Sequence, residues 1–156
     1  MLCAMESMLF EDVGDALRGI LPPDLGTLHL RAHRYGIKVW FGTEKPTKEH
    51  YEAQVVGARD VPAARTLALE VGFHSEYPKV ADNEAVIARL VVHEKAWRKE
   101  IGKAAEVAPF LGRADNWRRI SETWLNPDLG EPGLAFEIAS CLVDYITALE
   151  PLVHAP

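Results

Sequence analysis

Apolar and polar positions along this chain change period several times, and each change marks an element. Phe10, Val13, Leu17, Ile20 and Leu21 recur at helical spacing, which predicts an amphipathic helix over 5–21, ended by Pro22–Pro23. The period then drops to two. Leu28, Leu30 and Ala32 alternate with His29, Arg31 and His33, and after a turn at Arg34–Gly36 the segment GIKVWFG reads as the returning strand. Tyr51, Ala53 and Val55 oppose His50, Glu52 and Gln54 in a third strand. In a fourth, Leu67, Leu69, Val71 and Phe73 oppose Ala68, Glu70, Gly72 and His74. Short connections make these an antiparallel meander over 27–77.

Helical spacing returns with Ile87, Leu90, Trp97, Ile101, Ala104 and Ala108, predicting a long helix over 83–108 with Asn83 as its N-cap. The run 117–125 holds two tryptophans with Ile120 and Thr123 and is read as a further strand. Leu134, Ile138, Leu142, Tyr145 and Leu149 then form a stripe over 132–150, stopped by Pro151. The expected fold class is α+β in a single domain. An antiparallel sheet of four or five strands is packed by a long central helix and a C-terminal helix, with an N-terminal helix before it.

Composition narrows the functions. With 17 basic and 23 acidic side chains the net charge is −6, and nucleic-acid binding is not expected of so acidic a chain. The two cysteines, Cys3 and Cys141, form no disulfide framework or metal-ligand spacing, and Cys141 reads as a small buried hydrophobe. The opening MLCAMESMLFEDVGD lacks a basic start, and Glu6 interrupts any apolar core, so no signal peptide is expected. Apolar runs are too short for a membrane span. The expectation is a soluble, cytoplasmic protein without a membrane partner.

There is no phosphate loop, dinucleotide fingerprint, HExxH, paired CxxC or nucleophile elbow, and nothing names a cofactor. What remains is constellations. The strand phases send His29, Arg31, His33, Lys38, Trp40, Glu52, Gln54, Glu70, His74 and Glu76 to one sheet face. Carboxylates and imidazoles there could ligate a divalent ion or act as acid and base, with Glu52, Glu70 and His74 as the catalytic candidates. Glu70 and His74 are four apart on one strand, about 13 Å along it at roughly 3.3 Å per residue, so the better pair is Glu52 opposite Glu70. The plainer reading is a solvated face that pairs opposite charges across strands. Glu94 falls within the apolar stripe of the long helix, where it needs a cation such as Arg31 or an exposed margin. Trp117 and Arg118 resemble a recognition surface in composition, and Trp40, Trp97 and Tyr51 could line a pocket between sheet and helices.

Three functions follow as expectations. The first is a non-catalytic protein-interaction or accessory domain, homodimeric, since it asks for no motif. Its binding residues would come from Trp40, Gln54, Glu94, Trp97, Trp117 and Arg118. The alternatives are a small metal-dependent hydrolase or nuclease-like enzyme on the sheet face, and a small-molecule binding module.

Overall fold

Proline at position 22 ends the first helix by disfavouring the α conformation at Leu21, which sits extended at φ −68° and ψ 139°. The computed structural model describes residues 8–154, and in it α1 runs over Leu9–Ile20. Positions 5–7 of the expected helix lie outside the described residues. A short 3-10 turn, Pro23–Leu25, leads into the sheet.

The meander forms β1 (Leu28–His33), β2 (Gly36–Phe41), β3 (Glu49–Gly57) and β4 (Leu67–Ser75), each antiparallel to the next. Its phase follows the alternation. Val39 faces Tyr51, Tyr51 faces Phe73 and Ala53 faces Val71, and this side lies under the helices. The sheet has six strands rather than four or five. Residues expected at the end of the long helix form β5 (Glu106–Phe110), and 117–125 belongs to a longer β6 (Arg113–Leu125). The order is β1-β2-β3-β4-β6-β5, antiparallel throughout.

The helix expected over 83–108 is two helices, α2 (Val80–Val91) and α3 (Glu94–Ile101). The Leu90 carbonyl accepts the His93 N–H at 3.0 Å and the Trp97 indole N–H at 2.8 Å, so the chain turns there without leaving that group bare. Gly102, at φ 101°, then stops α3, overriding the apolar spacing that continues to Ala108. Asn83 is not an N-cap. Buried in α2, it accepts from the Ser75 hydroxyl and the Tyr77 N–H and donates to the Tyr77 and Asn116 carbonyls, at 2.8–2.9 Å, tying β4, α2 and β6 together. The last helix, α4 (Leu134–Val153), continues two residues past Pro151 because proline removes only its own backward bond.

Among the described residues the α-helices pack on one side of the sheet: α4 lies over β3 and β4 and against α1 and α3, α1 over β1 and β2, α2 over β6. Phe10, Tyr51, Phe73, Trp97, Ile120 and Leu142 are sealed in the core, each burial contributing about 1.5–3 kcal/mol. Among the described residues no helix is long and apolar enough to cross a membrane.

The opposite face was expected to be wet, and over β4 it is not. Glu70 and His74 are fully buried. Val61 and Ala64 from the β3–β4 connection pack on Val56 and Ala68, with Leu111 of the β5–β6 turn against them. Phe110 sets its ring edge-on to His74 at 4.6 Å, and Trp117 packs on Phe110. At Gly72 the two strands meet closely: a Cβ there would stand 2.5 Å from the Ile120 carbonyl oxygen.

Candidate metal centre

Antiparallel register places His50 opposite His74 and Glu52 opposite Gly72. Residues two apart share a strand face, so His50 and Glu52 of β3 project beside His74 of β4 and Glu76, just past its end. Glu52 therefore does not lie opposite Glu70. That position belongs to Gln54, which donates to Glu70 Oε1 at 2.8 Å. Glu70 and His74 nonetheless touch, at 2.7 and 2.9 Å from the ring Nε2 to the two carboxylate oxygens. Both side chains lean over Gly72, which puts nothing between them, so distance along the strand overstates their separation.

Each imidazole has one nitrogen held from behind. His50 Nδ1 lies 2.8 Å from the Thr47 carbonyl, which can only accept, so that nitrogen carries hydrogen. His74 Nε2 is fixed in the same way by the Glu70 carboxylate. The remaining nitrogens face one point. His50 Nε2 is 3.0 Å from Glu52 Oε1 and 2.9 Å from Glu76 Oε2, and His74 Nδ1 is 3.3 Å from Glu76 Oε2 and 3.8 Å from Glu52 Oε1. His74 Nδ1 is buried and makes no hydrogen bond. One donor atom from each of His50, Glu52, His74 and Glu76 lies within 4.8 Å of every other.

The electrostatics are those of a tightly shared charge. Burial works against ionisation of Glu52 and Glu76, but hydrogen bonds from His50 and the close approach of both imidazoles outweigh it. Glu52 is held far below the usual carboxylate range and Glu76 near 2. Burial likewise opposes a charged His74, and Glu70, Glu52 and Glu76 reverse that and raise it well above its ordinary value. His50 is raised for the same reason, by Glu52 and Glu76 against burial. Glu70 is lowered against its burial, chiefly by His74. Lys38 approaches Glu52 at 3.5 Å on the more open side. The cluster thus demands positive charge at its middle, supplied by protons on the imidazoles or by a cation between the four donors.

The other residues singled out from sequence do not gather here. Trp40 stacks on His29 with Arg31 over its ring and donates to the Thr43 carbonyl. Trp97 is core. Glu94 pairs with Arg98 at 2.9 Å, because the break at Val92–His93 moves it into the first turn of α3. Arg113 lies over Trp117, and Arg118 reaches Glu84 at 3.2 Å. Trp40 and Tyr51 do border a small cavity, and Trp97 does not. His50 and Glu76 complete the cluster: Glu76 lies on the face expected from strand phase and His50 shares the Glu52 side of β3, but neither stands out from sequence as Glu52, Glu70 and His74 do. The signal for them is a repeated His-x-Glu spacing, His50–Glu52 and His74–Glu76, on adjacent strands. No protein-family model matches the chain, and no curated protein or solved structure matches it.

Proposed function

We propose that the protein binds a divalent first-row transition ion, of the zinc class, through His50 Nε2, His74 Nδ1, Glu52 and Glu76, as a non-catalytic accessory domain. One observation carries the reading: two imidazoles whose outer nitrogens are pinned aim their inner nitrogens at the same two carboxylate oxygens, and one of those nitrogens is buried without a hydrogen bond. Backing of a ligand histidine by a carbonyl or carboxylate is the usual support of a metal site. Mixed imidazole and carboxylate donors suit zinc and its neighbours more than calcium or magnesium. Bonds of about 2.1 Å at tetrahedral angles put donors about 3.4 Å apart; the four imidazole–carboxylate contacts span 2.9–3.8 Å, and all four donors lie within 4.8 Å of one another, so a small inward shift would close them on an ion. Four protein ligands leave no open position for a substrate, which favours a structural role over hydrolysis. Isothermal titration with zinc tests this. One ion per chain is expected, with Glu52→Gln and Glu76→Gln each weakening binding by about tenfold or more. Unchanged affinity in both variants would refute it.

A second reading, self-association or protein docking, is supported by a cleft of about 330 Å³ between α2 and the edge strand β5. Ile87, Val91, Val107 and Pro109 line it, and Val91 and Val107 are exposed. Solution mass tests it, since a strictly monomeric protein at high concentration removes self-association.

A further inference from the structure

The helix side of β3 carries a different feature. A cavity of about 140 Å³ lies between the strand and the end of α4, walled by Phe41, Glu49, Tyr51, Tyr77 and Glu150. Strand alternation sends Glu49 and Tyr51 to this side and His50 to the other, so the sheet separates the cavity from the His–Glu cluster.

Two carboxylates share this small space. The Tyr51 hydroxyl donates to Glu150 Oε2 at 2.8 Å, and the Tyr77 hydroxyl donates to Glu49 Oε2 at 2.5 Å. Both phenols hold their protons firmly. Burial and Glu150 push Tyr51 well up, and the hydrogen bond to Glu49 takes Tyr77 to about 12. Glu150 Oε1 meets His154 at 2.8 Å, but Glu49 Oε1 is buried with no hydrogen bond. The rim groups are weak substitutes for a buried donor. Arg89 stands 3.9 Å from that oxygen on a largely exposed side chain, and His154 is more exposed still.

We propose that this cavity binds the head of a primary alkylammonium ion. Its N–H groups donate to Glu49 Oε1, and its stem lies against Phe41, Tyr51 and Tyr77. Aromatic walls beside carboxylates attract a cation both through the ring faces and by direct charge. The open acceptor calls for a donor, which a quaternary ammonium lacks. The volume is that of about five water molecules at about 30 Å³ each, room for an ammonium with a short carbon stem. A lone water would satisfy the oxygen but leave the rest of the aromatic-walled cavity unfilled.

The test is isothermal titration of the full chain, in chelator so that no metal contributes, with n-butylammonium, tetramethylammonium, n-butanol and Nα-acetyl-lysine amide. Saturable binding of n-butylammonium, at least about tenfold tighter than of tetramethylammonium or n-butanol, is expected. Acetyl-lysine amide binding more tightly than the free amine assigns the source to a lysine side chain, and weaker binding to a free amine. Glu49→Gln should lose at least about tenfold in affinity. If that variant does not fold, Tyr77→Phe, which frees Glu49 Oε2, replaces it and should bind as tightly as the native chain or tighter. No saturation by about 10 mM, equal binding of n-butanol, or an indifferent Glu49→Gln overturns the proposal and leaves the cavity to water.

Discussion

His50 and His74 face each other across β3 and β4 with ring centroids 5.8 Å apart and planes crossed at 73°. Two cationic rings this close repel, and only the carboxylates around them make the arrangement tolerable. Glu52 and Glu76 each reach both rings, so the pair is bound together through its counter-charges.

That coupling gives the metal-free protein a stability maximum in pH. Glu52 and Glu76 have folded values below their ordinary 4.5, so their contribution is present above about 4.5 and is lost as pH falls toward the folded values, near 2 for Glu76. His50 and His74 have folded values above 6.5, so theirs is present below about 6.5 and is lost as pH rises through the folded values. Urea midpoints in chelator should therefore peak between about 4.5 and 6.5 and decline on both sides. A midpoint still rising from pH 6 to 9 would contradict the charge assignment.

Zinc should act in the opposite sense on the alkaline side, since it takes the imidazoles without their inner protons. At about one hundred times its dissociation constant it should add about 2.7 kcal/mol, several degrees in Tm for a chain this long. A differential scan at pH 8 with zinc and with chelator reads the shift, and identical traces would count against the site.

A solvated Glu70 would tolerate conversion to glutamine with a change under about 0.5 kcal/mol. Glu70 is instead buried and holds His74 Nε2 through both oxygens. Glu70→Gln should cost about 1.5–3 kcal/mol in urea unfolding, the range of a hydrogen bond to a charged group.

Asn83 makes four hydrogen bonds from a fully buried position. Asn83→Ala strands the groups it served, each at about 1–3 kcal/mol, so a loss of about 3 kcal/mol or more is expected. A loss below about 1 kcal/mol would mean that the knot is replaced by water.

Strand phase was legible because apolar alternation over β1–β4 is nearly unbroken from Leu28 to Phe73. The helix break was not, since it depends on the Trp97 indole reaching the Leu90 carbonyl, a contact that spacing does not encode. Nor was β5, where Glu106 to Phe110 carry no clean period of two. The dry side of β4 was hidden for a different reason: its cover, Val61, Ala64 and Phe110, comes from segments that read as connections. Glu52, Glu70 and His74 stood out by face, but the pairing did not, because spacing along the strand does not show that Glu70 and His74 meet over Gly72 or that Gln54 takes the place opposite Glu70. His50 and Glu76 gain meaning only once register sets the two histidines opposite each other.

The most direct measurement is an NMR titration of the 15N-labelled protein with 113Cd2+, reading cadmium–nitrogen coupling at each histidine. Coupling is expected at His50 Nε2 and His74 Nδ1, with His50 Nδ1 and His74 Nε2 still protonated toward Thr47 and Glu70. Coupling through the opposite ring nitrogens, or cadmium held elsewhere while both imidazoles keep two protons, would contradict it.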